Sequence, residues 1–157
     1  LALVFEHQQT PGLHVEPLFS EQLILVSTEP RTVGNGHTEG YIYINWGQQF
    51  QEQHNQEYPD IPHHRITLAL ESQALEQMFA QGGSAYLAQS TAQPLLDNKQ
   101  LFEVKGARQF SLTIYLAISE AKRQDIAITQ AIEGIREASF VKQRMEKYTG
   151  INEKQEH

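Results

Sequence analysis

Apolar residues recur along this chain with two spacings, and the spacing changes at glycine and proline. Short runs rich in Val, Ile, Leu, Phe and Tyr predict β-strands. These runs lie at residues 1–6, 22–28, 41–46, 65–70, 85–87, 101–104 and 110–118. The first run is apolar at every position up to Phe5, which is typical of a strand buried on both faces. Pro17 disfavours a central strand over residues 13–19.

Spacing of three or four residues predicts the helices. A polar helix is expected at 48–57 with Phe50 facing inwards, and a short helix at 91–98 with Pro94 early. The longest helix is expected from about 125 to 148, ending near Gly150. Its apolar stripe comprises Ile128, Ala131, Ile132, Ile135, Ala138, Val141, Met145 and Tyr148.

The stretch from residue 65 to residue 87 predicts a β-α-β unit with two parallel strands. Ser72 is expected to cap the helix. Leu75, Met78 and Phe79 form the helix's apolar stripe. Gly82 ends the helix, since glycine adopts left-handed angles without a Cβ clash. We also expect the strands at 41–45, 65–69 and 85–87 to share one sheet.

Glycine-bearing segments near 29–40 and near Gly106 divide the chain. They predict one lobe from residues 31–106 and another that combines 1–30 with 107–157. The chain then crosses between the lobes twice, which is a hinge architecture suited to closure around a small ligand.

The composition of the chain excludes several classes of function. The chain has 157 residues, enough for one ordinary domain or two small lobes, and a net charge of −7. Such acidity argues against direct nucleic-acid binding. There is no cysteine, hence no disulfide and no thiolate chemistry. No apolar run approaches the ~18 residues of a membrane span. The chain starts at Leu1 without a signal peptide, and we expect it to be a fragment of a longer protein.

The order of these elements resembles the effector-binding domain of LysR-type transcriptional regulators. The resemblance rests on the strand at 1–6, on Pro17-Leu18-Phe19 with the strand at 23–26, and on the Ser72 helix with the glycine pair and strand at 82–87. Residues 44–47 with Phe50 resemble the HdfR-like branch of that family. The family usually has proline at the position of Ala88.

The resemblance implies an α/β fold like that of type 2 periplasmic binding proteins, with two lobes, a hinge and an incomplete first lobe. It implies a cytoplasmic, non-enzymatic sensor that binds a small metabolite between the lobes. DNA would be bound only by an N-terminal helix-turn-helix domain absent from this sequence. The alternatives are the solute-binding protein of a transporter, or an enzyme on the same fold such as a porphobilinogen-deaminase or prephenate-dehydratase relative.

Ligands of parallel sheets bind beyond the carboxyl ends of the strands, and we place that edge at residues 70–73 and 83–88. Ser72 is the strongest candidate, because the amides at a helix N-terminus bind anionic groups, and we therefore expect an anionic effector. The alternative is that Ser72 is an ordinary helix cap. Trp46 and Tyr86 either line the site or pack in the core. The candidate ligand-binding residues are Ser27, Thr28, Asn45, Trp46, Ala69, Ser72, Gly83, Ser84 and Tyr86.

Four histidines, His37, His54, His63 and His64, raise the question of a metal site. Adjacent histidines on a strand point to opposite faces, and no acidic or thiol partner has ligand spacing. We therefore expect no metal and no cofactor. No phosphate loop or nucleophile elbow is present, which also argues against an enzyme.

The resemblance implies a homodimer or a higher homo-oligomer. In the family, two further strands lie beside the strand equivalent to residues 1–5. Without them this strand presents open backbone groups and apolar surface, so we expect a rearranged first lobe or one completed by a second copy. That copy pairs along the strand at 1–5 or exchanges the last helix.

Overall fold

The computed structural model describes residues 1–5, 10–36, 39–61 and 66–152, without the side chains of 35–36 and 140–152. The chain forms two compact units. Unit 1 comprises Leu1–Ser20 and Thr113–His157, and unit 2 comprises Glu21–Leu112. The chain passes from one unit to the other within strand β2 (Leu13–Ser27) and within strand β7 (Phe110–Ser119). The lobe boundaries expected from glycine content stay a prediction. None of the helices in the described ranges is long and apolar enough to cross a membrane.

Unit 1 is built on an antiparallel pair of strands covered by one long helix. Strand β1 (Ala2–Val4) pairs with β7, with Leu3 opposite Leu116. A 3-10 turn (Glu120–Lys122) leads to helix α5 (Ile126–Asn152). The core of the unit comprises Leu116, Ile118 and Ile132, with Leu18, Ile128 and Ile135 packed against them. The predicted helix is confirmed, but it continues past Gly150, where an end was expected.

The prediction that residues 1–6 form a strand buried on both faces is wrong. The exposed fractions of Leu1, Leu3 and Phe5 are 49%, 56% and 41%. The physical reason is position, because β1 is the last strand in the order of the sheet. An unbroken apolar run is typical of central strands, but here it lies at an edge.

Strand β2 is longer than the predicted strand at 22–28 and includes Pro17. The pairing of β2 with strand β5 (Ser84–Ala88) begins only at Leu23. Pro17 is exposed and lies before that pairing, so its missing N–H removes no bond to β5. Residues 13–19 are extended, and β2 lies between β7 and β5 in the order of the sheet, so the expectation that Pro17 disfavours a central strand there is wrong.

Unit 2 contains a parallel set of three strands. Strand β3 (Tyr41–Ile44) lies between β4 (Ile66–Leu68) and β5, and both neighbours run parallel to it. This confirms that the strands predicted at 41–45, 65–69 and 85–87 share one sheet. Strand β2 pairs antiparallel with β5 and with the short β6 (Phe102–Glu103).

Helices connect these strands. They are α1 (Val33–Gly36), α2 (Gln48–Glu57), α3 (Glu71–Gln81) and α4 (Gln89–Asp97). The predicted bounds of α2 are confirmed, and Phe50 is buried as expected. Helix α1 was not predicted, because its sequence, Val-Gly-Asn-Gly, consists mostly of residues that favour turns.

Helix α3 differs from the prediction at its start and along its apolar stripe, whereas its predicted end at Gly82 is confirmed, because Gly82 is the C-cap. Leu70 occupies the cap position, and Ser72 is the second residue of the helix, so Ser72 is not the cap. Ala74 and Met78 are the buried residues of the helix, whereas Phe79 is 52% exposed. Ala74 and Met78 are four residues apart and therefore share one face of the helix, whereas Phe79, the residue after Met78, points to a different side.

Candidate functional site

The carboxyl ends of the three parallel strands lie at one edge of unit 2, and a helix begins after each of them. Ile44, the last residue of β3, lies opposite Leu68, the last residue of β4. Helices α2, α3 and α4 start within a few residues of the ends of β3, β4 and β5 respectively. We call this edge the helix-start rim. It is also the end at which β2 enters unit 2, because Leu23 lies opposite Ala88.

The structure corrects the predicted ligand-binding edge. Tyr41, the first residue of β3, lies opposite Ser84, the first residue of the parallel β5, and Ser27 at the end of β2 lies opposite Ser84 from the other side. Gly83 and Ser84 are therefore at the amino end of β5, whereas residues 70–73 are at the carboxyl end of β4. The predicted edge joined two opposite ends of the sheet, because it treated the whole of 83–88 as the end of a strand.

The candidates at the amino end form a closed backbone junction. The Thr28 amide donates to the Gly83 carbonyl at 3.1 Å, and the Gly83 amide donates to the Thr28 hydroxyl at 3.1 Å. A Cβ on Gly83 would lie 2.3 Å from the Gly40 carbonyl oxygen, and φ there is +135°. Ser27 is buried and donates its hydroxyl to the Glu29 carbonyl. These contacts support a structural role for the junction.

Two further candidates lie where β3 leads into α2. Trp46 is buried, and its indole N–H donates to the Tyr86 carbonyl at 3.0 Å. Asn45 is exposed, and its side-chain oxygen accepts from the Gly47 amide at 3.1 Å. Asn45 thereby stabilises the turn before α2, and the Trp46 hydrogen bond connects that turn to β5. Only Asn45 of the pair presents its side chain to solvent at the helix-start rim.

Tyr86 lies in the core of unit 2 rather than on a ligand-facing surface. Its hydroxyl donates to the Arg108 carbonyl at 2.8 Å and lies 3.1 Å from the Tyr58 hydroxyl, which accepts from the Arg108 amide at 2.9 Å. Burial raises the pKa of Tyr86 far above its usual value, and the Tyr58 hydrogen bond adds to the shift. Phe50 and Phe110 pack edge-on against its ring. This geometry supports the core alternative for Tyr86.

Two glutamates that the sequence reading did not single out occupy the start of α4. Glu71 accepts from the Ala88 amide at 2.8 Å and from the Thr91 hydroxyl at 2.9 Å. Glu21, with only 6% of its surface exposed, accepts from the Ser90 amide at 3.3 Å and the Ser90 hydroxyl at 3.1 Å. The partial positive charge of a helix N-terminus favours such carboxylates. The protein's own anions therefore occupy the start of α4.

Neither glutamate carried a local signal that revealed this role. Glu71 precedes Ser72, and a first-turn acid is expected to help only its own helix. Its carboxylate instead reaches residues 17 and 20 positions later. Glu21 reaches a residue 69 positions later. These groups come together only because β2 pairs with β5 and because β3 lies between β4 and β5.

The start of α3 differs from the start of α4. Leu70, at the cap position, has an apolar side chain that is 56% exposed, so it cannot accept from the first amides of the helix. Ala69 and Ser72 are exposed beside it. The Ala74 amide donates to the Leu70 carbonyl at 3.3 Å, which is the first bond of the helical pattern. The amides of Ser72 and Gln73 come before that bond in the helix, and α3 has no side-chain cap hydrogen bond at Leu70.

The histidine considered as a metal ligand is part of the core. His54 is fully buried on α2, and its Nε2 lies 2.8 Å from the Tyr41 hydroxyl. Its ring packs against Tyr43 and Phe50. The described residues contain no group of three or more potential ligands that could hold a metal ion. His37, His63 and His64 lie outside the described residues.

Comparison with known proteins bears on the fold. No protein-family model matches the chain, and no curated protein matches its sequence. The effector domain of AmpR from Pseudomonas aeruginosa is similar in structure, with a TM-score of 0.68 and 12% identity over 92% of this chain and 73% of that domain. The regulatory domain of MetR from Neisseria meningitidis has a TM-score of 0.64 and 18% identity over 88% of this chain and 69% of that domain.

A full-length regulator is also similar. LysG from Corynebacterium glutamicum, solved with bound effector Arg, has a TM-score of 0.61 and 13% identity over 87% of this chain. The chain spans 50% of the length of LysG. The resemblance to the HdfR-like branch stays a prediction. The chain thus has the mixed α/β fold of LysR-family regulatory domains, which is the fold of type 2 periplasmic binding proteins.

Proposed function

We propose that this chain is the effector-sensing part of a LysR-type transcriptional regulator and binds a small anionic metabolite. The observation that carries the proposal is the helix-start rim on a fold shared with the AmpR effector domain. Ligands of open parallel sheets bind beyond the carboxyl ends of the strands, and in LysG an effector is bound on a related fold. The ligand biases the placement of an attached DNA-binding domain in a homodimer.

The anionic group binds at the start of α3. Helix N-termini attract anions through their unpaired amides and the helix dipole. The start of α4 is occupied by Glu21 and Glu71, whereas the start of α3 is exposed and its cap residue, Leu70, is apolar. Ser72, the second residue of α3, offers both an amide and an exposed hydroxyl. An effector carboxylate accepts from these two groups.

Two substitutions of Ser72 distinguish the contribution of its amide to ligand binding from that of its hydroxyl. Ser72→Ala removes the hydroxyl and keeps the amide, while Ser72→Pro also removes the amide at a first-turn position where proline is tolerated. Both variants are titrated calorimetrically with acetate, succinate, glutamate and arginine, and circular dichroism verifies their helix content. Ser72→Ala is the matched control for Ser72→Pro.

We expect at least one carboxylate to bind the unmodified chain. The affinity falls at least ~10-fold in Ser72→Pro, which corresponds to about 1.4 kcal/mol, and less than ~3-fold in Ser72→Ala. Equal affinity of Ser72→Pro and the unmodified chain would contradict the site. A panel in which arginine binds and no simple carboxylate does would contradict the anionic effector.

A further inference from the structure

Two tyrosine hydroxyls bind the backbone of Arg108, just before β7 begins at Phe110. The Arg108 amide donates to the Tyr58 hydroxyl at 2.9 Å, and the Tyr86 hydroxyl donates to the Arg108 carbonyl at 2.8 Å. Tyr58 is the C-terminal cap of α2, and Tyr86 lies in β5. The segment that leads into β7 is therefore held by side chains from two other elements of unit 2.

The three groups form a closed ring of hydrogen bonds. The hydroxyl oxygens of Tyr58 and Tyr86 lie 3.1 Å apart. A hydroxyl has a single proton to donate, and the proton of Tyr86 is donated to the Arg108 carbonyl. Tyr58 is therefore the donor to Tyr86, and the ring runs from the Arg108 amide through both hydroxyls to the Arg108 carbonyl. Hydrogen bonds in sequence polarise one another, so we expect the ring to open as a unit.

Helix α2 connects this ring with the helix-start rim. The helix begins after Trp46, whose indole N–H donates to the Tyr86 carbonyl, and it ends at Tyr58. Its 10 residues span about 15 Å. In its first turn Phe50 is buried, with its ring centre 5.7 Å from that of Tyr86 and 5.4 Å from that of Phe110. Both ends of α2 are therefore bonded to Tyr86, directly or through the preceding turn.

The beginning of α2 is bonded in turn to the segment that precedes α3. The Asn45 amide donates to the Leu68 carbonyl at 3.0 Å, and the Asn45 side-chain oxygen accepts from the Gly47 amide. Leu68 ends β4 and is followed closely by Leu70, the cap residue of α3. A group that binds at the start of α3 therefore acts on a segment that is bonded to the turn before α2.

We propose that α2 couples occupancy of the helix-start rim to the ring at Arg108, and thereby regulates how the start of β7 is held. The chain leaves unit 2 within β7, so this strand is suited to carry the response. Tyr58 is a positioning residue, because it acts through Arg108 and Tyr86 from the end of α2 opposite the rim. The regulatory role rests on the proposed function, whereas the coupling between the two ends of α2 is a property of the ligand-free chain.

Hydrogen exchange followed by ¹⁵N NMR measures both ends of α2 in the intact chain. The Trp46 indole N–H reports on the rim, and the Arg108 amide reports on the ring. Rates are taken relative to the slowest amides of β5, which corrects for global unfolding. Tyr58→Phe removes the ring hydroxyl and keeps the aromatic side chain. Tyr41→Phe is the matched control, because it removes a different buried hydroxyl that bonds to α2 at His54.

We expect Tyr58→Phe to speed relative exchange of the Trp46 indole N–H at least ~5-fold, and Tyr41→Phe to speed it less than ~2-fold. A purely structural role for the Tyr58 hydroxyl would change exchange at Arg108 and leave the indole rate unchanged. Equal relative indole rates in the two tyrosine variants would therefore overturn the proposal.

Coupling is reciprocal, which gives a second test that does not require Tyr58→Phe to fold. Asn45→Ala removes the side-chain bond to the Gly47 amide at the start of α2, and it is expected to speed relative exchange of the Arg108 amide at least ~3-fold. Asn55→Ala is the matched control, because it is the same substitution at an exposed position within α2. Equal relative rates at Arg108 in these two variants would also overturn the coupling.

Addition of ligand separates the regulatory role from the effector site. Acetate, succinate and glutamate are titrated into the unmodified chain, and a carboxylate that shifts the Ser72 amide is expected to slow exchange at Arg108 at least ~3-fold at saturation. A carboxylate that shifts Ser72 without slowing Arg108 would overturn the regulatory role and leave the effector site standing. If none of them bound, the proposed effector site would be contradicted, and the two ligand-free comparisons would still decide the coupling.

Discussion

Removing the Glu71 carboxylate is expected to destabilise unit 2 through helix α4 rather than through its own helix. Glu71 lies in the first turn of α3, yet both of its oxygens accept from the start of α4. In Glu71→Ala, the Ala88 amide and the Thr91 hydroxyl both lose this partner. Ala88 is only 8% exposed, so water replaces the carboxylate poorly at its amide.

The magnitude follows from these contacts. A hydrogen bond to a charged group contributes about 1.5–3 kcal/mol, and a carboxylate at a helix start about 0.3–1 kcal/mol. Glu71 and Thr91 are only half-buried, so water can replace part of the hydrogen bonding that the Thr91 hydroxyl loses. We therefore expect Glu71→Ala to lower the free energy of unfolding by about 2–3 kcal/mol. Glu71→Gln keeps one acceptor oxygen and is expected to lose about half as much.

The assay is urea unfolding followed by Trp46 fluorescence. Trp46 is the single tryptophan, is buried, and is bonded to β5, so its emission reports on unit 2. The matched control is Glu76→Ala, an exposed glutamate on the same helix, which is expected to change stability by less than ~0.5 kcal/mol. A loss for Glu71→Ala no larger than that of Glu76→Ala would refute the bridge between α3 and α4.

Two further substitutions test other parts of the structure. Gly83→Ala places a Cβ 2.3 Å from the Gly40 carbonyl oxygen at a φ of +135°. We expect it to lower the free energy of unfolding by at least ~2 kcal/mol in the same assay. The control is Gly34→Ala, whose Cβ has no atom within 4 Å and which is expected to change that free energy by less than ~0.5 kcal/mol. In unit 1 the Arg136 hydrogen bond lowers the pKa of Glu16. This stabilisation is present when the pH is above the pKa of Glu16 in the unfolded chain, near 4.5. It is lost as the pH falls through the lower pKa of Glu16 in the folded chain. Calorimetric unfolding is therefore expected to show Arg136→Gln less stable by up to ~0.5 kcal/mol at pH 7, with a difference that shrinks as the pH falls below 4.5. A difference that stays constant as the pH falls would contradict this account.

Local sequence predicted the elements of unit 2 well, because their patterns match their environments. The polar helix with one inward Phe50 and the three strands of the parallel set follow from spacing alone. The order of elements also predicted the fold that the solved regulatory domains share. These features depend on periodicity, which a single sequence displays.

The errors arose where position in the sheet decides the outcome. The apolar run at β1 is the same in sequence whether its strand is central or terminal, and only the sheet order makes it an edge. Ser72 has the chemistry of a cap, but the helix begins at Glu71, and the carboxylate of Glu71 accepts from the start of α4. Gly83 lies between α3 and β5, and only the direction in which β5 pairs with β3 and β2 decides at which end of the sheet it lies.

The central claim is that the start of α3 holds the anionic group of an effector. It is tested most directly by ¹⁵N-resolved NMR titration of the chain with the carboxylates named above. The account predicts saturable shifts that are largest at the amides of Ser72 and Gln73, with smaller shifts at Asn45 and none at Gly83, at the other end of the sheet. Saturable shifts centred on Gly83 and Ser84, or no shift at Ser72 with a ligand that binds by calorimetry, would contradict it.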